Sequence, residues 1–176
     1  MSIKNKLTGL SALILGLVLF SCNSKSQNSN TTTMDIKIAT QNKTTVKKFF
    51  KALENEDVNG LVDLFAENAQ HINPYHSNVF PKGAEGKDGI RDYWTPVFPN
   101  FDGMEFPIEE LYVMEDPNIV FVKYKGDIKL KNDASVYSND YYSTFKFNDK
   151  GEIIEYVEIF NPIVAARGFG LLNQIK

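Results

Sequence analysis

Ile119-Val120-Phe121-Val122-Lys123-Tyr124-Lys125-Gly126-Asp127-Ile128-Lys129-Leu130 is the stretch on which the fold turns. Val120, Val122, Tyr124, Ile128 and Leu130 take alternate positions, and Lys123, Lys125, Asp127 and Lys129 fill the places between them. Successive side chains of a strand point to opposite faces, so this pattern predicts a long strand with one buried and one solvated face. The period of two continues downstream. Tyr137 to Phe147 and Glu152 to Phe160 read as further strands, joined by the turn Asn148-Asp149-Lys150-Gly151. Upstream, Asp116-Pro117-Asn118 makes a turn after a strand from Glu105 to Met114.

Before Pro99 the period is 3.6. Val46, Phe49, Phe50 and Leu53 form one helical stripe, with Lys47, Lys48 and Lys51 on the wet face. Asp57 caps a second helix with the stripe Val58, Leu61, Val62 and Phe65. A short strand from Ala69 to Asn73 and a loop from Pro74 to Glu85 lead to a third helix, Lys87 to Trp94, which ends near Pro96. Helices first and antiparallel strands afterwards give an α+β class. A long curved sheet folded over three helices encloses a cavity, which is where small ligands bind.

Working outward, the N-terminus differs from this domain. Lys4 and Lys6 precede an apolar run from Leu7 to Phe20, then Ser21 and Cys22, the chain's only cysteine. Fourteen helical residues reach about 21 Å, short of a bilayer core of about 30 Å, so the run reads as an export signal. Leu19-Phe20-Ser21-Cys22 resembles a bacterial lipobox, which implies cleavage after residue 21 and a diacylglycerol on the Cys22 sulfur. Each buried methylene contributes about 0.8 kcal/mol, and two or three acyl chains anchor durably. The expectation is an exported lipoprotein facing the periplasm. Asn23 after Cys22 favours the outer membrane by resemblance to enteric lipoproteins. Residues 22–40 read as a flexible polar tether and 41–176 as one domain.

Composition narrows the function classes. The chain carries 19 basic and 22 acidic residues, and removing residues 1–21 takes away Lys4 and Lys6 but no acid. An acidic balance argues against a nucleic-acid partner. There is no phosphate-cradling glycine loop, no dinucleotide fingerprint and no Gly-x-Ser-x-Gly elbow, so no cofactor is called for. His71 and His76 are the only histidines, five apart around Pro74, and no carboxylate cluster completes a metal site.

Short motifs then narrow the family. His71-Ile72-Asn73-Pro74-Tyr75, Gly86-Lys87-Asp88-Gly89-Ile90-Arg91-Asp92-Tyr93 and Glu158-Ile159-Phe160-Asn161-Pro162 are similar to motifs of the SnoaL-like branch of the nuclear transport factor 2-like superfamily. Phe98-Pro99, Glu115-Asp116-Pro117-Asn118 and Tyr137-Ser138-Asn139 resemble segments of its phenazine-biosynthesis A/B proteins. The resemblance implies a cone of curved sheet closed by three helices, and a homodimer through the outer sheet face. It implies an acid–base role at Glu158 and a pocket-lining role at Tyr137. The position matching a helix-borne histidine of the phenazine proteins holds Tyr93 here, beside Trp94, and the arginine usual before the glutamate is Val157.

The candidate residues follow from both readings. Ile154, Tyr156, Glu158 and Phe160 share one face of the last strand, and Ile153, Glu155, Val157 and Ile159 share the other. Each face has three apolar or aromatic residues and one glutamate, so periodicity leaves the inner face open. With the first face inward, desolvation would favour protonated Glu158, as it does for acids in apolar pockets. Tyr137, Asn139 and Tyr141 share a face of the neighbouring strand, where they either orient a ligand or pack across strands. Tyr93 and Trp94 can stack on a ligand. His71 is either at the cavity mouth or a loop histidine. Three functions stay open: binding of a small apolar or aromatic molecule, cofactor-free acid–base catalysis through Glu158, or a structural module whose cavity is filled by side chains.

Overall fold

Val46, Phe49, Phe50 and Leu53 are all buried, and they lay one face of helix α1 (Lys25–Glu54) into the concave side of a seven-stranded sheet. The computed structural model describes residues 25–131 and 136–175, so the segment expected to be an export signal and Cys22 lie outside the described residues. Segment 22–40, expected to be a flexible tether, is helical from Lys25 onward. Extending a helix that is already nucleated costs little, and Asn42 to Leu53 supply the packed nucleus. Residues 32–37 are exposed, and among the residues whose burial is described Asn42 is the first that is buried. Among the described residues no helix is long and apolar enough to cross a membrane.

After α1 come α2 (Val58–Val62), β1 (Phe65–Ile72), β2 (Gly83–Glu85) and α3 (Gly86–Trp94). Asp57 caps α2, its carboxylate accepting from the Gly60 amide at 2.8 Å. The strands β3 (Phe101–Glu105), β4 (Ile108–Val113), β5 (Ile119–Leu130), β6 (Val136–Phe147) and β7 (Ile153–Phe160) follow, then α4 (Pro162–Gly168). Sequence reading had one strand from Glu105 to Met114. The structure has two, broken at Phe106-Pro107. Proline has no amide hydrogen for a ladder, and the Phe106 amide is drawn off to Glu54 at 3.1 Å. Both short strands pair antiparallel with β5.

The sheet order is β2-β1-β7-β6-β5-β3, with β4 also on β5. One pairing departs from the antiparallel expectation: β1 runs parallel to β7, with His71 opposite Tyr156. That joint closes the sheet around α1 and α3 and brings the N-terminal and C-terminal halves of the domain together. The alternation in β5 and β6 holds in the fold, with Val120, Val122, Tyr124 and Ile128 buried opposite Tyr137, Tyr141, Ser143 and Phe145. Helix α4 was absent from the sequence reading. Asn161 caps it, its side-chain oxygen accepting from the Ile163 and Val164 amides.

Candidate functional site

The β7 ladder decides which face of the last strand points inward. From Glu155 onward Tyr156 and Glu158 are buried, while Glu155, Val157 and Ile159 are only partly covered. Ile153 is also fully buried and Ile154 is not, because the register shifts at the start of the strand, so the expected alternation holds only beyond it. Glu158 lies opposite Ser143 on β6. Its carboxylate lines a cavity of about 770 Å³ whose walls are mostly apolar and aromatic. An open space of that size is not a core filled by side chains, and it lies within the range of small-molecule sites. Tyr93, Trp94, Tyr137 and Tyr141 line it too.

Two hydroxyl groups meet one carboxylate oxygen. Tyr156 donates to Glu158 Oε1 at 3.1 Å, and the Tyr124 hydroxyl lies 3.4 Å from the same oxygen. Tyr124 is also 3.1 Å from the Tyr156 hydroxyl and 3.3 Å from Ser143 Oγ. Each hydroxyl has one hydrogen, so the contacts resolve into a chain from Ser143 through Tyr124 and Tyr156 to Glu158. Tyr124 and Tyr156 were not among the sequence candidates. The available signals were their places on the inner faces of β5 and β7.

His71 is not at a cavity mouth. Its side chain is wholly buried, and Nε2 lies 3.5 Å from Glu158 Oε2. That is ion-pair reach but beyond a well-formed hydrogen bond, and neither ring nitrogen makes one. Tyr93, Trp94 and Tyr156 surround the ring at centroid distances of 4.6, 5.9 and 4.8 Å. The backbone under it is equally fixed. A Cβ on Gly83 would stand 1.9 Å from the His71 carbonyl oxygen, and its φ of +125° suits glycine.

Asn139 is buried behind Tyr137 and outside the lining of the main cavity. Its amide donates to the Tyr137 hydroxyl at 2.8 Å and to the Asn161 carbonyl at 3.0 Å, tying β6 to the cap of α4. Tyr137 in turn lies 2.9 Å from the Tyr141 hydroxyl. Across the helices, Asn73 donates to the Tyr93 hydroxyl at 3.0 Å. Phe80, Phe160 and Phe169 close another wall, with Phe80 5.5 Å from Phe160 and 6.3 Å from Phe169.

Burial raises the pKa of Tyr93, Tyr124, Tyr137, Tyr141 and Tyr156 above the ordinary tyrosine value, and the nearby Glu158 charge raises each further. These phenols therefore remain protonated donors. Among the described residues no group of three His, Cys, Asp or Glu side chains is placed to hold a metal ion. Among the described residues the arrangement offers one carboxylate, a set of phenol donors, one lysine and a largely aromatic wall.

Comparison with known proteins agrees with this geometry. An uncharacterised Bacillus subtilis (strain 168) protein, YesE, is 29% identical over 126 residues, covering 72% of this chain and 85% of its own. A solved Bacillus subtilis protein, provisionally described as an isomerase, is 26% identical with a TM-score of 0.67, covering 78% of this chain and 96% of its own. A phenazine biosynthesis-related protein from Pseudomonas aeruginosa has the same TM-score at 21% identity, covering 77% and 85%. The sequence pattern of the SnoaL-like domain matches residues 46–156, more than half of the chain, which makes this protein a member of the SnoaL-like family within the nuclear transport factor 2-like superfamily.

Proposed function

We propose that the protein binds a small apolar or aromatic molecule in this cavity and moves a proton on it through Glu158, without a cofactor. The observation that carries the proposal is chemical isolation: among the described residues Glu158 is the one carboxylate lining a mostly apolar space, whose other polar side chains are tyrosines, Trp94, Asn100 and Lys131. A carboxylate in such a place is a proton carrier whose reach is limited to what the cavity admits. The Bacillus subtilis neighbour described provisionally as an isomerase supports the same class.

A specific observation favours binding without chemistry as the second reading. Oε1 of Glu158 already accepts a hydrogen bond from the Tyr156 hydroxyl, so part of the carboxylate is committed within the protein and not to a ligand. One experiment separates the two. Native mass spectrometry of the full chain identifies any co-purified molecule. The bicyclic aromatic ketone 2-tetralone then serves as a defined probe, its α-hydrogen exchange in D2O followed by NMR. The proposal expects exchange above the buffer rate in wild type and at the buffer rate in Glu158→Gln, with probe affinity retained. Exchange that survives Glu158→Gln refutes the catalytic role and leaves the binding role.

The cellular setting is part of the same proposal. We propose that Cys22 carries the lipid and holds the domain at the periplasmic side of a membrane, the outer one being favoured by Asn23. Mass spectrometry of the mature N-terminal peptide tests this, and an unmodified Cys22 refutes it. A homodimer is proposed through the outer sheet face, where Tyr112, Phe121 and Tyr142 form an aromatic strip at 6.5 and 6.4 Å spacing. Tyr112 and Tyr142 are exposed, and a two-fold contact buries the same patch on both copies. Light scattering that returns the monomer mass refutes it.

A further inference from the structure

The buried imidazole of His71 has no use in the account so far. We infer that His71 is the positioning residue for Glu158: it holds its one proton on Nε2, gives it to Oε2 as a hydrogen bond, and so fixes which carboxylate edge faces the ligand. The inference rests on the proposed role of Glu158 and deepens it.

Three observations carry it. The first is confinement. The His71 side chain has no exposed surface, and three aromatic rings from two elements hold its plane: Tyr93 and Trp94 of α3 and Tyr156 of β7. The Trp94 ring lies within 2° of parallel to it. A ring held this way cannot turn away to find another partner.

The second is partner supply. Buried polar groups are satisfied in nearly every native structure. Neither imidazole nitrogen makes a hydrogen bond, and the charged group facing the ring is Glu158, with Oε2 3.5 Å from Nε2. Closing the gap by about 0.5 Å gives an ordinary N–H···O bond, and catalytic hydrogen bonds commonly shorten when a ligand enters. Glu158 Oε1 accepts from Tyr156, and Oε2 is the oxygen that faces His71.

The third is the tautomer. A neutral imidazole has one N–H and one bare acceptor nitrogen. A bare Nδ1 without a partner costs less in an apolar setting than an N–H without one, and an imidazolium would have to bury a second, unpartnered N–H. The arrangement that leaves least unsatisfied puts the His71 hydrogen on Nε2, facing Oε2 of Glu158. The parallel register places the two side chains on one face. His71 lies opposite Tyr156, and Glu158 follows two residues later on the same face.

The test has two arms. Long-range ¹H–¹⁵N spectra of the full chain resolve two imidazoles, since His71 and His76 are the only histidines, and His76→Gln assigns them. The expected His71 spectrum near neutral pH is the Nε2–H tautomer, with the Nε2 resonance displaced in Glu158→Gln. An Nδ1–H tautomer, an imidazolium, or a spectrum indifferent to Glu158→Gln overturns the inference. In the second arm, His71→Phe keeps a ring and loses the donor, and His71→Gln keeps a donor. Loss of positioning should slow 2-tetralone exchange by about ten- to a hundredfold in His71→Phe, with half-saturation changed less than about threefold and partial recovery in His71→Gln. Exchange in folded His71→Phe within twofold of wild type overturns the inference while leaving Glu158 in place. Should Glu158→Gln itself leave exchange intact, the catalytic reading of Glu158 falls, and the spectroscopic arm still decides the pairing.

Discussion

Raising the pH above 10 should unfold this domain abruptly, and the buried tyrosines set the steepness. Five of the eight tyrosines, Tyr93, Tyr124, Tyr137, Tyr141 and Tyr156, have pKa values raised chiefly by burial, with the Glu158 charge adding to each. An unfolded tyrosine ionises near pH 10. Below that pH the phenol is protonated in both states, and its full contribution to stability is present. As pH climbs past 10, the unfolded chain loses phenolic protons that the native protein keeps, so stability falls. Each such tyrosine removes about 1.4 kcal/mol per pH unit, and five acting together remove about 7 kcal/mol per pH unit. A domain with a total stability of roughly 5–15 kcal/mol is exhausted within about two pH units. The assay pairs absorbance at 295 nm, which reports phenolate, with far-UV circular dichroism over the same titration. The absorbance from these five phenols should appear together with the loss of ellipticity. Ionisation of all five near pH 10 with ellipticity intact would mean that burial does not hold these phenols protonated, and the reasoning would fall with it.

Other perturbations bear on separate parts of the molecule. Phe49→Ala removes a fully buried ring in contact with Phe50, Phe65, Phe145 and Tyr156, and should cost about 3–5 kcal/mol by urea denaturation. Tyr156→Phe deletes the 3.1 Å donor to Glu158 and should cost about 1.5–3 kcal/mol in the same assay, a smaller loss refuting the hydrogen-bond chain. In Gly168→Ala the new Cβ meets Tyr137 Cδ2 at 2.4 Å, so the ring must move off the cavity wall. That overpacking should cost about 1–3 kcal/mol and change 2-tetralone affinity, read through Trp94, the only tryptophan and a cavity-lining one.

Much of this architecture is written in periodicities. The stripe from Val46 to Leu53 and the alternation from Val120 to Leu130 each bury one face for one reason, and each reads directly from the residues. The last strand is different. Its two faces carry matched sets, so no local pattern could rank Tyr156 and Glu158 above Glu155 and Val157. A long-range fact decides it, the pairing of β7 with β1 on one side and β6 on the other. His71 was misplaced for the same reason, because its burial comes from α3 folding over the strand and not from its sequence neighbours. The Asn161-Pro162 cap of α4 was visible as a motif, but a helix of seven residues leaves too little periodicity to be read as one.

The parallel seam between β1 and β7 also has a consequence in time. Residues near position 70 wait for residues near position 157 before either strand has its partner. Pairings between distant segments carry loop-closure entropy that must be met before the contact repays it, and they fold slowly. During synthesis the helices and β1 are made first, and the strand bearing Glu158 comes last. Until it docks, the edges of β1 and β6 that it will cover lack a neighbour, which is the state in which strands pair with the wrong chain. The final strand thus supplies the carboxylate and closes the edge in one event, so a chain that has not finished folding has no assembled site with which to act.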